Sequence, residues 1–366
     1  KIRFSGLLRI FLVALLVLIQ LSTMFFFTYW LRGNYVLIYL IVELISMLLG
    51  IFLVNVYRNS SYKIAWLCIF LIFPLTGHIM FFLWGNRYSK KMMEKKITKT
   101  IIQNASIYLK QDENIRNEFQ VKKPNQNKIS VYLENHQFPL FKNNNIGYYP
   151  FGEDVFKSIF DDIKKAKKFV LINFYIVAQG ILYDTLFDLL TQKVKEGVEV
   201  KFMCDDFGAS LRTPKDFKKK LEENGIEVAI FNPIHKHTDR LYLNYRSHQK
   251  IIVVDGDIAY TGGINLADEY ANLVDRFGVW KDTAVRVKGE ATWGFTVIFF
   301  QMWELCGKTP KLDYNIYRPR KKFEQNDVFC HVISDGPANN PENPIESLYR
   351  QIIYNAKEYL YIATPY

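Results

Sequence analysis

Between Ile10 and Leu31 the chain runs for twenty-two residues without a charge. Two similar runs follow, Tyr35–Val56 with Glu43 inside it and Ile64–Trp84 with Pro74 and His78. At ~1.5 Å per residue a stretch of this length matches a hydrocarbon core of ~30 Å. The reading is therefore three membrane spans, residues 10–31, 35–56 and 64–84, within a transmembrane region 1–86. Trp30, Tyr35, Tyr57, Tyr62 and Trp84 stand near the ends of the runs, where amphipathic rings favour the membrane interface. A cleaved signal peptide would have a shorter apolar part, and no small-x-small site follows the first run. Glu43 and His78 are expected to face neighbouring helices or water.

Past the runs, Arg87, Lys90, Lys91, Lys95, Lys96 and Lys99 form a basic cluster in a chain whose formal net charge is +11. A cluster beside an apolar region points to anionic lipid head groups ahead of nucleic acid. With three spans, five Lys/Arg fall on one side and seven, this cluster included, on the other. The positive-inside rule then makes a multi-pass protein of the cell membrane with its body in the cytoplasm. Residues 87–128 read as a basic amphipathic linker. Cys68, Cys204, Cys306 and Cys330 form no CxxC pair, which fits a reducing compartment rather than a disulfide framework or a zinc site. The sequence starts at Lys1 rather than Met, which suggests a fragment.

From about Ile129 strand and helix signals alternate. Val155, Ile159, Ile163 and Ala166 step along one helical face. Phe169–Val177 follows as a strand buried on both faces, then a helix over Thr185–Glu196 and a strand Val198–Cys204 ending at Asp205 and Asp206. A helix over Pro214–Asn224, stopped by Gly225, leads to the strand Ile226–Phe231. Such alternation implies an α/β sheet covered by helices. Ile345, Tyr349, Ile353 and Ala356 repeat the first helical face, and AKEYLYIATPY at Ala356–Tyr366 echoes AKKFVLINFY at Ala166–Tyr175. This spacing suggests a duplicated domain. The expected bodies are 129–325 and the start of a second copy at 326–366.

The chemistry sits in Arg246–Tyr270, RSHQKIIVVDGDIAYTGGINLADEY. Lys250–Asp255 reads as a strand, Gly256-Asp257 as a tight turn and Ile258–Thr261 as the returning strand. His248 and Lys250, two residues apart, project from one face. An imidazole that can attack or donate a proton, beside a fixed ammonium, suits a phosphoryl centre. Gly262 and Gly263 would let backbone approach an anion, and Asn265 could donate an amide hydrogen bond to the same oxygens. Asp255 lies roughly 23 Å from His248 along an extended strand at ~3.3 Å per residue, so it reads as a turn-holding residue. The carboxylate that fixes the His248 tautomer must come from elsewhere. Asp282 is the choice, with Asp268 and Glu269 as rivals. A lone HxK is usually a surface pair, but the whole spacing here is HxKx4Dx6GGxN.

That stretch resembles the first HKD motif of the phospholipase D superfamily. With the three apolar runs, Asp205-Asp206, Asn244-Tyr245-Arg246 and Trp280-Lys281-Asp282-Thr283, the chain is similar to bacterial cardiolipin synthases over nearly its whole length. The resemblance implies transmembrane helices followed by a phospholipase D-like α/β sandwich repeat, with a second repeat truncated here. It implies two HKD motifs that join two phosphatidylglycerols into cardiolipin and release glycerol, through a phosphohistidine and with neither metal nor cofactor. His248, Lys250 and Asp255 would be the motif's catalytic set. Asn265, Gly262, Gly263 and Arg246 would contact phosphate or substrate, and Asp282 would support the histidine. Asn173 stands where many similar sequences carry Glu, and Ala284 where many carry His. The second histidine projects past Tyr366, so residues 1–366 alone are expected to make no lipid product.

His235, His237 and Asp239 imitate a metal site in a polar loop that could instead meet lipid phosphates. His136 and His331 read as surface residues, and Arg212 and Lys215 as a solvated loop. Phe299, Phe300, Met302 and Trp303 read as helix core ahead of acyl-chain contacts. Rival functions are a phospholipase D-type hydrolase, a transferase with another alcohol acceptor, a nuclease (disfavoured by the spans) and a non-catalytic membrane scaffold. The oligomeric state is not legible.

Overall fold

The computed structural model describes residues 35–55, 60–73, 76–84, 88–210, 212–214, 216–233, 246–276, 278–308, 312–319, 322–336 and 343–364, with residues 18, 22 and 25. It divides into two compact units. One comprises Lys1–Lys95, Ile234–Asn244 and Asn340–Glu342, and the other Lys96–Pro233, Tyr245–Asn339 and Asn343–Tyr366.

In the first unit the helices are α1 (Tyr35–Asn55), α2 (Ser60–Ile72) and α3 (Thr76–Trp84). The first expected span lies almost wholly outside the described residues. The second corresponds to α1, whose Leu37, Ile41, Leu44, Met47 and Leu48 are exposed. The third is two helices rather than one, α2 ending at Ile72 and α3 beginning at Thr76. Among the described residues no helix is long and apolar enough to cross a membrane. His78 packs on Phe70, with ring centroids 4.3 Å apart.

The segment expected as a short amphipathic helix and a linker holds three helices: α4 (Tyr88–Tyr108), α5 (Glu113–Lys122) and α6 (Pro124–Asn135). Asp112 caps α5 by accepting the Asn114 N–H. The strands of the second unit are β1 (Leu140–Phe141), β2 (Asn144–Tyr149), β3 (Phe169–Phe174), β4 (Glu199–Asp205), β5 (Glu227–Phe231), β6 (Ile251–Val254), β7 (Ile258–Gly262), β8 (Ala284–Gly289) and β9 (Cys330–His331). Its further helices are α7 (Gly152–Lys164), α8 (Ile181–Lys195), α9 (Phe217–Glu223), α10 (Thr292–Leu305) and α11 (Pro344–Asn355).

Seven strands form one mixed sheet in the order β2-β8-β7-β6-β3-β4-β5. β3, β4 and β5 are parallel, and β6, β7, β8 and β2 pair antiparallel. Period-two alternation sends Val170, Ile172 and Phe174 of β3 to one side and Phe169 and Leu171 to the other. The first side is covered by α7 and α8, through Val155, Ile159, Ile163, Leu182, Leu186 and Leu190. The second is covered by α10, whose Phe299, Phe300 and Trp303 are wholly buried. These rings are core, as their apolar periodicity suggested. α4 belongs to the same layer: Asn104 donates to Tyr314 Oη at 2.7 Å, and Trp293 Nε1 donates to the Tyr108 carbonyl at 2.8 Å.

β2 was not foreseen. Its sequence NNIGYY lacks the apolar alternation of the other strands, and it is held at the sheet edge by pairing Asn144–Tyr149 with Gly289–Ala284. The expected boundary at 325/326 is not a structural one. β9 pairs with β1, Leu140 opposite His331, so this segment closes onto the first body. His331 is not a surface residue. Its Nε2 meets Ser130 Oγ at 2.9 Å and its Nδ1 the Phe138 carbonyl at 2.9 Å, and burial pushes its pKa down. α11 forms where the repeated face was read, whereas residues 356–364 form no strand.

Phe300→Ala is expected to cost about 3–5 kcal/mol in denaturant unfolding through the cavity it leaves. Ile316→Ala, at an exposed position, should stay within about 0.5 kcal/mol.

Candidate active site

β3 and β4 end, and β6 begins, at one edge of the sheet, so their terminal residues converge. Open α/β sheets place ligands at such carboxyl ends. Ser247 and Gln249 point to the α10 side, and His248 and Lys250 to the other. His248 is exposed, whereas Lys250 is 5% exposed beneath it. Lys250 Nζ lies 3.0 Å from Nδ1 and 3.3 Å from Nε2 of His248, facing the ring edge between the two nitrogens. It also donates to the His248 carbonyl at 2.7 Å. The Tyr175 ring lies 4.6 Å from the imidazole and 5.6 Å from Nζ. The expected pairing of His248 with Lys250 is thus observed, with the imidazole facing solvent rather than hydrocarbon.

Two charges shape this pair. Burial lowers the Lys250 pKa to about 8, and the Asp282 carboxylate opposes that shift. Burial and the adjacent ammonium lower the His248 pKa, which favours the neutral ring. Asp282 makes no hydrogen bond with His248, which corrects the expectation that it fixes the tautomer. Its Oδ1 accepts the Thr283 N–H at 2.8 Å, and Trp280 Nε1 donates to Oδ2 at 3.5 Å. Its electrostatic effect falls on Lys250. The rivals are engaged elsewhere. Asp268 accepts the N–H groups of Ile181 and Leu182 at the start of α8, and Glu269 pairs with Arg212 and Arg276. Arg212 is therefore no solvated loop residue.

The glycine pair has a packing cause. A Cβ on Gly263 would stand 2.1 Å from Asp282 Oδ1, and one on Gly262 would stand 2.3 Å from the Thr283 carbonyl. The Gly263 N–H already donates to Thr283 O at 3.0 Å, so that N–H is not spare for an anion. Asn265, 3% exposed, accepts the Ile176 N–H at 2.9 Å and hydrogen-bonds Tyr270. It braces the loop after β3.

Asp255, counted with the catalytic motif, sits at the far end of β6. Its φ is 55°, and its carboxylate accepts the N–H groups of Lys167, Lys168 and Phe169 at 2.7–3.0 Å. It holds the turn and touches nothing in the site, as its separation from His248 required. Arg246 is engaged within the fold. Its guanidinium donates to Asp205 Oδ1 at 3.3 Å and to the Asn232 carbonyl at 3.0 Å.

Asp205 is the site residue the sequence reading missed as such. It is fully buried at the end of β4. Its Oδ2 accepts the Ser247 N–H at 3.0 Å, and its Oδ1 accepts those of Phe207 and Gly208 at 2.8 and 3.3 Å, beside Arg246. It therefore anchors the residue just before His248. Burial raises its pKa against the pull of Arg246. The signals in the sequence were an acidic residue closing an apolar strand and the Asp205-Asp206 pair within the family resemblance, neither of which gives it this role. Gln249, on the opposite face, donates to Ser334 Oγ at 2.7 Å. Asn173 is fully buried with no partner for its Oδ1. Ala284 is buried.

His235, His237, Asp239, Asn244, Tyr245 and Lys215 lie outside the described residues. Among the described residues no three His, Cys, Asp or Glu side chains gather as a metal site. His136 is half-buried, with Nδ1 2.8 Å from the Tyr132 carbonyl.

Comparison with known proteins follows this geometry. Residues 159–292 match the family described as "Cardiolipin synthase, PLD-like domain", and residues 36–86 match "Phospholipase_D-nuclease N-terminal". An "Uncharacterized protein" of Streptococcus mutans is 36% identical over 325 residues, which cover 86% of this chain and 68% of that one. "Major cardiolipin synthase ClsA" of Bacillus subtilis is 31% identical over 315 residues, 84% of this chain and 65% of that one. The chain thus spans about two thirds of the length of these relatives. The solved phosphatidylserine synthase of Haemophilus influenzae is similar at a TM-score of 0.39 and 15% identity, over 52% of this chain and 46% of that one.

Two outcomes are expected here. Asp205→Ala should cost about 3–5 kcal/mol in denaturant unfolding, because it strands Arg246 and the Ser247 N–H. Direct NMR titration should place the Lys250 ammonium near pH 8. Because the folded pKa lies below the unfolded value, the unfolded chain holds the extra proton between about pH 8 and 10.5. Stability should therefore rise with pH across that window, and Lys250→Met should abolish this component of the rise.

Proposed function

Since this chain belongs to the cardiolipin synthase, phospholipase D-like family, we propose that it is the first catalytic half of a membrane phosphatidyltransferase. In the proposed reaction two phosphatidylglycerols become cardiolipin and glycerol. The observation that carries this reading is the exposed His248 imidazole with the buried Lys250 ammonium at its edge. A neutral ring is a nucleophile rather than an acid. His248 attacks the phosphorus of one phosphatidylglycerol, an N–P bond forms, and the P–O bond to the free glycerol breaks. Glycerol leaves with a proton supplied by an acid outside these residues. The primary hydroxyl of a second phosphatidylglycerol then attacks the phosphohistidine, gives up its proton, and releases the imidazole.

Lys250 balances the charge that builds on the non-bridging oxygens during each displacement. Its ammonium is needed for this, so turnover falls as pH rises past about 8. Asp282 keeps that ammonium protonated, and Asn265 shapes the wall beside it. Membrane association is supported by the exposed apolar side chains of α1 and by the match over residues 36–86. A multi-pass anchor with a cytoplasmic body is the arrangement this reading adopts.

The full-length protein, expressed in a strain without its own cardiolipin enzymes, should restore cardiolipin in lipid extracts, and His248→Ala should lower it at least a thousandfold (about 4 kcal/mol). Phosphatidic acid as the sole product would indicate water as the acceptor. Unchanged cardiolipin in the His248→Ala strain would end the catalytic reading and favour a scaffold.

A further inference from the structure

The site's edge of the sheet carries a second feature, the loop that joins Asn265 to β8. Its base is pinched shut. The Trp280 N–H donates to Asn272 Oδ1 at 2.6 Å, and Asn272 Nδ2 returns a bond to the Trp280 carbonyl at 3.0 Å and another to Glu153 at 2.8 Å. Asn272 accepts a left-handed φ of 51° to make this clasp, a conformation asparagine tolerates better than most residues. The Trp280 ring packs on Tyr270 at 5.1 Å. Between these clamped ends Leu273, Val274, Asp275, Arg276, Gly278 and Val279 are exposed, and the Gly278 N–H donates to Asp275 Oδ1 at 2.9 Å.

The polarity of this loop is inverted. A clamped surface loop ordinarily turns polar residues to water, yet here Leu273 is 46%, Val274 51% and Val279 85% exposed. Phe207 and Ile181, on the segments after β4 and β3, are 51% and 60% exposed at the same edge. Exposed Lys281 and Arg276, the latter also paired with Glu269, interleave with the valines, against the single acid Asp275 on the loop. Apolar tips flanked by cations suit the boundary between anionic head groups and acyl chains. The loop runs directly into Asp282, which acts on Lys250.

We propose that Leu273, Val274 and Val279 form a clamped wedge that enters the bilayer surface beside the site and sets the depth at which a lipid phosphate meets His248. This rests on the reading of the substrate as a phospholipid. The occupant is an anionic lipid leaflet. A protein partner on the same patch would leave the loop outside the acyl region.

The test uses full-length protein reconstituted in vesicles of phosphatidylglycerol and phosphatidylethanolamine. An environment-sensitive fluorophore is placed through Val279→Cys and, as a control at the opposite end of the sheet, through Lys195→Cys. Quenching by lipids carrying a nitroxide on the shallow acyl carbons is expected at 279 and not at 195. Equal quenching at both, or none at 279, overturns the wedge. Quenching needs no turnover, so it remains readable in a protein that makes no lipid product, a result that would count against the proposed function alone. As a second arm, Val274→Asp with Val279→Asp should slow turnover of vesicle phosphatidylglycerol about tenfold and leave a monodisperse short-chain substrate within about twofold. An equal loss on both substrates would show a structural defect and overturn the proposal.

Discussion

An ammonium held 5% exposed beneath an imidazole is costly to fold, and much of the site exists to tolerate it. Burial brings the Lys250 pKa down to about 8, and the neighbouring imidazole carries no charge to offset it. Asp282 limits the fall from the neighbouring strand end. For that carboxylate to stand close, Gly262 and Gly263 must lack side chains, since a Cβ on either would meet Asp282, Thr283 or Ala284. The glycine pair, the acid and the lysine are thus one electrostatic unit. A ligand phosphate would complete it by supplying the negative charge that the folded protein provides only in part.

β6 and the segment before it that carries the pair are held at both ends. At the far end Asp255 gathers three backbone N–H groups that lead into β3. At the near end buried Asp205 takes the Ser247 N–H and Arg246 together, in a dry setting where such bonds are strong. Asp205 is itself the last residue of β4, so the orientation of His248 is referred to the parallel half of the sheet. Both aspartates position the segment that carries His248 and Lys250.

Much of this was legible in the residues. The 3.6-residue face of α7, the doubly buried run of β3 and the β6–β7 hairpin follow from local pattern, and each formed close to where pattern placed it. The common face of His248 and Lys250 follows from strand geometry alone. What escaped reading depends on contacts between distant segments. Asp205 meets Ser247 across 42 residues, and nothing local marks that bond. Asp282 was rightly placed near the motif, but its partner was misassigned, because one strand position does not say whether a carboxylate reaches a ring or an ammonium. His331 looked polar and exposed until β9 closed on β1. The edge strand β2, with asparagines and a glycine, carries no signal apart from the partner it pairs with. The span read as one run is two helices, and the Pro74 noted within it is a local sequence signal that could have been weighed more heavily.

The central claim is that His248 attacks phosphorus with Lys250 facing the same centre. Rapid quench of full-length protein with phosphatidylglycerol, followed by peptide mass spectrometry under alkaline conditions that preserve phosphohistidine, tests it most directly. The account predicts a phosphatidyl adduct on the peptide bearing His248, formed at a rate at least equal to turnover and depleted in Lys250→Met. Turnover with the adduct on another residue, or with no adduct at any time, would contradict it.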